Sequence, residues 1–281
     1  MESAAQPLLA FDTSTPTARV ALISADGECL VLRAKTAARH SANLLALVDE
    51  VLREAGLAVA SLGAIACGAG PGSFTGLRVG LAVAKGLALP SARPLILVSS
   101  LDALACDLAA ASPEARWLLP CLDAGKGQIY ARLYDAGGER GKNFTTENAE
   151  GTETEEKEGV RSRDPETPSF ARFARSAPSV AKLPSDSDWV LSPEDLCRLV
   201  GEAASGRSLA AGGTGVDRYL GVMRAALGEG ALCPSLAGPS AQAIARLARK
   251  RMARGESDDI ETAVPRYGRP PDITRPKKSL P

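Results

Sequence analysis

Residues 65–90, IACGAGPGSFTGLRVGLAVAKGLALP, constrain the fold more than any other stretch of the chain. An apolar run at 65–67 leads into a turn that holds Gly68, Gly70, Gly72 and Gly76, and a long helix pattern follows at once. Glycines at this density let a backbone turn sharply and approach another segment closely. A strand, a glycine turn and a helix in direct succession make a unit of α/β folds. Within the helix, Gly76, Gly80, Ala84 and Ala88 recur every four residues and share one face. Such a face buries little apolar area but admits another backbone. The residues leave two uses open for it: tight packing on the chain's own sheet, or a groove for a partner helix.

The segments on either side extend this pattern. Residues 8–23 read as two strands around the polar turn Asp12-Thr13-Ser14-Thr15-Pro16, and a third strand follows Asp26-Gly27. Residues 41–55 read as a helix with Leu44, Leu45, Val48, Val51 and Leu52 on its apolar face, stopped by Gly56. A strand at 95–98 and a helix at 99–111 complete a first block of order β-β-β-α-β-α-β-α. A second block repeats this layout from Trp117: an apolar strand, the turn Asp123-Ala124-Gly125-Lys126-Gly127, and an alternating strand at 128–134. Residues 137–188 are rich in Gly, Glu, Ser, Thr and Pro and sparse in apolar residues, the composition of an insert that cannot bury enough surface to order itself. Beyond it come a helix at 193–204, a short strand into Gly212-Gly213-Thr214-Gly215, a helix near 219–227 and an amphipathic helix at 240–254. The expected organisation is a first lobe at 1–115 with helix 240–254 packed back on it, a second lobe from 116–136 and 189–239, the insert at 137–188, and a basic, proline-rich tail at 255–281.

Composition narrows the chemistry. With 33 basic and 33 acidic residues the formal charge is zero, which argues against strong non-specific nucleic-acid binding by the whole chain. The N-terminus lacks the basic region of a signal peptide, and no apolar run reaches membrane-span length. None of the six cysteines forms a C-x-x-C pair. The expected setting is therefore the cytoplasm, with no membrane association. His40 is the single histidine, which rules out a His₂ or His₃ metal site within one chain and leaves little room for a serine triad.

Two Asp-containing hairpins and a late glycine turn suggest a duplicated nucleotide-binding architecture of the actin/Hsp70/sugar-kinase type. Asp12, Thr13, Ser14, Gly70, Gly72, Ser73, Asp123, Gly125, Gly212 and Gly213 are the candidates to line its cleft. FDTSTPTARVAL, GAGPGSFTGLRVGLAVAKGLAL and LDAGKGQIYARLYDA together resemble the TsaB (YeaZ) family, and PRYGRPPDIT is similar to that family's closing motif. The resemblance implies a two-lobed fold with duplicated mixed sheets and a degenerate cleft. It implies a non-catalytic scaffold in synthesis of N6-threonylcarbamoyladenosine in tRNA. Its partners would be a catalytic TsaD-type subunit, a TsaE-type ATPase and, through the complex, tRNA, with a homodimer in isolation. No cofactor or metal of its own is implied, although the complex could bind ATP or ADP weakly.

The catalytic TsaD paralogues carry Asn-His-x-x-x-His just after the corresponding strand. Here Ser100 and Leu104 stand where the two histidines would be, and neither can replace imidazole on a metal. By the resemblance, helices 41–55 and 76–89 pair with the partner, with Leu44, Leu45, Val48 and Leu52 as knobs and Gly76, Gly80 and Ala84 as the groove. On that assignment Gly80→Leu leaves the chain folded and abolishes partner binding. The competing reading is an ATP-dependent phosphotransferase with Mg²⁺ held by Asp12 or Asp123. A third is direct RNA contact by the basic tail.

Overall fold

A computed structural model describes residues 6–36, 40–136, 188–204, 208–233 and 236–268. The proposed insert lies almost entirely outside these residues, as does the tail beyond Gly268. Among these residues ten strands fall into two mixed sheets. The first contains β1 (Leu8–Asp12), β2 (Thr17–Ile23), β3 (Cys29–Thr36), β4 (Ala64–Gly70) and β5 (Leu95–Ser99) in the order β3-β2-β1-β4-β5. The second contains β6 (Trp117–Gly125), β7 (Gln128–Ala131), β9 (Trp189–Leu191) and β10 (Leu209–Gly212) in the order β10-β6-β7-β9, with β8 (Tyr134–Asp135) paired to β6.

The repeat seen in the sequence is topological. In each sheet an antiparallel meander (β1-β2-β3 or β6-β7-β9) is followed by a helix and then by a strand parallel to the first of the set (β4 beside β1, β10 beside β6). The connecting helices are α1 (His40–Glu54) and α4 (Pro193–Ala203). Ser192 caps α4 by accepting from Asp195 N, and Pro193 occupies the first turn.

Helices cover the first sheet on both faces. On one face α1 and α2 (Phe74–Ser91) lie side by side, where Leu44, Val48, Val51, Leu81, Ala84 and Ala88 pack on Phe11, Val20, Ile65 and Leu97. On the other, α7 (Ala241–Ala253) packs Ile244, Ala245 and Ala248 against Leu8, Ala10, Ala66 and Ile96. Next to α7, α3 (Ser100–Ala111) is shared: Ala103 joins the first sheet's core, while Ala105 and Leu108 join Leu118 and Ala210 of the second. The second sheet's far face carries α4, α5 (Thr214–Arg218) and α6 (Leu220–Leu227) over Trp117, Leu119 and Ile129.

Residues 256–268, read from sequence as the start of a loose tail, form a strap. Asp258 bridges to Leu95 on β5, and its carboxylate accepts from Leu97 N at 2.6 Å and from Arg251 Nη1 at 2.8 Å. Ile260 and Ala263 pack into the α1/α2 core, and Arg266 N donates to Ala69 O at 2.7 Å. The segment lacks any helical or strand period, so tertiary anchors such as these order it. No helix among the described residues is long and apolar enough to cross a membrane.

Candidate functional site

The glycine turn closes on the chain's own first hairpin. Ser73 caps α2 by accepting from Gly76 N at 3.2 Å, while its own N–H donates to Ser14 O at 2.7 Å. Thr13 Oγ1 donates to Gly76 O at 2.8 Å. A Cβ at Gly72 would lie 2.4 Å from Ser14 O, one at Gly76 2.1 Å from Thr13 O, and one at Gly80 2.3 Å from Thr13 Oγ1. The glycines are therefore required by the approach of the β1–β2 turn. At Gly70, which precedes a cis proline, the crowding atoms are Arg266 O of the strap and Leu77 Cδ1, each 2.7 Å from a Cβ position.

Asp12 lies at the centre of this knot, fully buried. Its Oδ1 accepts from Ser14 N at 2.9 Å and Ser14 Oγ at 2.6 Å, and its Oδ2 accepts from Ser100 Oγ at 2.8 Å. Burial pushes its pKa up, and the serine hydrogen bonds oppose that rise without cancelling it. Ser100 Oγ also accepts from Gly70 N at 3.3 Å. The N–H groups of Gly70 and Ser73 are thus both engaged within the chain.

The second hairpin is equally self-contained. Asp123 Oδ1 accepts from Gly125 N at 2.9 Å, and Oδ2 pairs with Arg218 Nη1 at 3.3 Å. Asp123 N donates to Thr214 Oγ1 at 3.0 Å, which fixes the late glycine turn against β6, and a Cβ at Gly213 would come within 2.1 Å of Cys121 O. Gly212 backs onto Leu108 and Cys233. Between the lobes, Leu101 and Leu104 of α3 pack with Leu122, Ala124 and Tyr130. The sequence grouped the two hairpins around one cleft. The structure brings Asp12, Thr13, Ser14, Gly70, Gly72 and Ser73 together in one knot, and Asp123, Gly125, Gly212 and Gly213 around a second turn.

The place of the absent histidines is equally occupied. Ser100 is spent on Asp12 and Gly70, and Leu104 is buried among leucines, so these residues do not fit a metal. Among the described residues no group of three or more His, Cys, Asp or Glu side chains converges.

The expected partner face needs correction. Leu44, Val48 and Leu52 point into the first sheet, Gly76 and Gly80 back onto Thr13, and Ala84 is fully buried. Of the seven residues assigned to it, Leu45 alone is exposed, at 53%. A small-residue stripe fits a sheet hairpin as well as a partner helix, and here the β1–β2 turn has taken it. Gly80→Leu would accordingly disturb the knot itself.

The outward face of α2 is a different stripe: Thr75, Arg78, Ala82, Gly86 and Leu89 are exposed, with Val79, Val83 and Leu87 half-buried beside them. Leu89 is 66% exposed, and a Cβ at Gly86 would meet nothing within 4 Å. Leu45, Ala46 and Asp49 are exposed on neighbouring α1. The repeat Arg78, Ala82, Gly86 at four-residue spacing was the available sequence signal, overshadowed by the longer run of small residues. At the start of this face Arg78 lies 4.0 Å over the Phe74 ring, and its Nε donates to Tyr267 Oη at 3.0 Å. The two rings are 4.9 Å apart between centroids.

Comparison with known proteins places this geometry. The family model described as TsaD, tRNA N6-adenosine threonylcarbamoyltransferase, matches residues 31–204. A Haemophilus influenzae protein named tRNA threonylcarbamoyladenosine biosynthesis protein TsaB is 38% identical over 123 residues, 44% of this chain and 51% of that protein. An Escherichia coli protein of the same name is 36% identical over 127 residues, 45% and 54% of the two chains. The chain thus spans about half the length of the curated relatives it matches. A Pseudomonas aeruginosa crystal structure, described as an uncharacterized protein with similarity to peptidase YEAZ, superposes with a TM-score of 0.66 at 28% identity, covering 94% of this chain and all of that one. The family-model match across more than half of the sequence, the TsaB-named relatives and the YeaZ-like structure agree: the chain belongs to the tRNA N6-adenosine threonylcarbamoyltransferase family, in its TsaB/YeaZ branch.

Proposed function

We propose that the chain is a non-catalytic subunit in the synthesis of threonylcarbamoyladenosine in tRNA, and that it holds and activates a TsaD-type transferase through the outer face of α1 and α2. The observation that carries the docking assignment is the exposed apolar stripe Ala82, Gly86 and Leu89 with Leu45 alongside, on the helix that bears the family's glycine motif. Large residues beside small ones supply the ridges and grooves that helix pairing needs. The non-catalytic reading is supported by Asp12 and Ser100 binding each other, and by Leu104 filling the space between the lobes. A phosphotransferase role is disfavoured, because the Asp12 and Asp123 carboxylates are both engaged within the chain. A TsaE-type ATPase, tRNA, and any weak ATP or ADP binding belong to the assembled complex in this reading, and its setting is the cytoplasm. Without the partner, the same face pairs two copies of the chain.

The test is size-exclusion chromatography with light scattering, on the chain mixed with a TsaD-type subunit from the same cell. Wild type is expected to co-elute with it. Ala82→Asp and Leu45→Asp, each with unchanged thermal unfolding, are expected to elute alone. Wild-type association in both variants would remove this face from the interface, and no association by wild type would remove the scaffold role.

A further inference from the structure

Phe74, Arg78 and Tyr267 stand outside the buried apolar clusters that hold the two lobes. Arg78 is exposed, and both rings are 37% exposed. The guanidinium is nonetheless pre-oriented: it lies over the Phe74 ring, and its Nε donates to Tyr267 Oη. Tyr267 is itself fixed, because Arg266 N donates to Ala69 O and Gly268 lies against the Tyr130 ring. The two terminal nitrogens of Arg78 have no hydrogen-bond or ion-pair partner among the described residues. An arginine held in this way presents a fork matched to an oxyanion, and it loses little freedom on binding one.

The strap's own acids do not take this fork. Asp258 accepts from Leu97 N and Arg251 Nη1, and Asp259 accepts from Thr262 N and Oγ1. Glu261 lies further along α2, where its carbonyl accepts from Lys85 Nζ at 3.2 Å, about two helical turns from Arg78. The helix α2 carries Arg78 and Lys85 and no acid. Arg78 precedes Ala82 by one turn, about 6 Å along the axis, on the face where Ala82, Gly86 and Leu89 are exposed. An apolar patch with a charged residue at its margin is the anatomy of a protein–protein interface, and arginine is enriched there. On that face the occupant is a folded protein, and the oxyanions that an unmodified protein carries are carboxylates.

We infer that Arg78 is an ionic anchor of the docking face: its guanidinium fork takes an Asp or Glu carboxylate of the TsaD-type subunit, while Phe74 and Tyr267 hold it in place. The inference rests on the proposed function for the identity of that partner. It adds a charged contact at the N-terminal end of α2, and it makes the strap, through Tyr267, part of the docking surface.

The test uses the full-length chain and the TsaD-type subunit. The affinity of association is measured by biolayer interferometry over a range of salt, with thermal unfolding as the control on each variant. Arg78→Ala is expected to weaken association about tenfold and to flatten its salt dependence, and Arg78→Glu to weaken it further. Arg78→Lys keeps the charge but not the fork, and is expected to fall between wild type and Arg78→Ala. Tyr267→Phe removes the tether alone, with an expected loss of about threefold. These two conservative variants carry the test if Arg78→Ala misfolds. In the Arg78→Glu background, reversing the partner's exposed Asp and Glu residues singly to Arg is expected to restore association at one position. Wild-type affinity in Arg78→Ala and Arg78→Glu overturns the inference, as does failure of every such reversal to rescue. Loss of tRNA binding by the assembled complex in Arg78→Ala, with subunit affinity intact, would give the fork to a phosphate and overturns it too. Ala82→Asp and Leu45→Asp, measured alongside, keep the two readings apart. Association lost in these but intact in the Arg78 variants leaves the docking face and removes the anchor, whereas no association by wild type removes both.

Discussion

Gly80 faces Thr13 and Gly86 faces open space on α2, and the same substitution should move stability in opposite directions at the two. At Gly86 an added methyl meets open space and improves helix propensity, so Gly86→Ala is expected to stabilise by about 0.5–1 kcal/mol. At Gly80 the methyl would fall 2.3 Å from Thr13 Oγ1, and Gly80→Ala is expected to destabilise by about 1–3 kcal/mol through overpacking. Urea unfolding of the two variants checks the pair. Asp12 gives a pH signature. Its folded-state pKa lies above the unfolded value, so the folded chain holds the proton more tightly. That contribution is complete below the ordinary carboxylate range and disappears as pH rises through the folded-state value. Asp12→Asn is expected to fold and to flatten this decline, with the burial-raised Asp107, Asp188 and Asp217 supplying what remains. Thermal unfolding of wild type and variant between mildly acidic and neutral pH measures the difference.

The elements themselves were largely legible in the sequence. The helix expected at 41–55 is α1, the strand–turn–helix at 65–90 is β4 and α2, and the helix expected at 240–254 is α7. These are long segments with a clear apolar period, which local chemistry decides. The inward face of α2 was not legible, because Gly76, Gly80 and Ala84 carry the same spacing whether they meet a partner or the β1–β2 turn. Only the arrival of Thr13, distant in sequence, settles it. Short β8 and β9 were missed because two or three residues carry no period, and the strap because its order is tertiary. Asp258 is the strap's main anchor. Asp258→Ala would strand Leu97 N at a partly buried site and leave Arg251 Nη1 with Leu97 O alone, at an expected cost of about 1–3 kcal/mol, read by chemical denaturation.

Across the whole molecule, α3 is the shared wall between two versions of one topology. Its polar tie to the second lobe is Asp102, whose Oδ1 accepts from Tyr134 Oη at 2.6 Å and lies 3.4 Å from Arg132 Nη1; Arg132 also pairs with Asp188 at 2.7 Å. Burial raises the Tyr134 pKa well above the ordinary phenol value, so the hydroxyl remains a donor at neutral pH. Tyr134→Phe is expected to cost about 1–2 kcal/mol and to increase hydrogen exchange in both β6 and α3. The core assignments of both lobes follow from apolar runs in the sequence. The joint between them follows from side chains such as Leu104 and Tyr134, whose partners lie across a lobe boundary.

The return of α7 and the strap to the first sheet orders events during synthesis. On the ribosome β1–β5 emerge first, yet one face of that sheet waits for Ile244 and Ala248, and its β5 edge waits for Asp258. Until the second lobe has been made, the nascent first lobe carries an open sheet edge and an uncovered apolar face, the features that invite pairing with a neighbouring chain. A pause in translation within residues 137–188 would lengthen that exposure, whereas early delivery of residues 241–268, as in a circular permutant that places them ahead of β1, would shorten it.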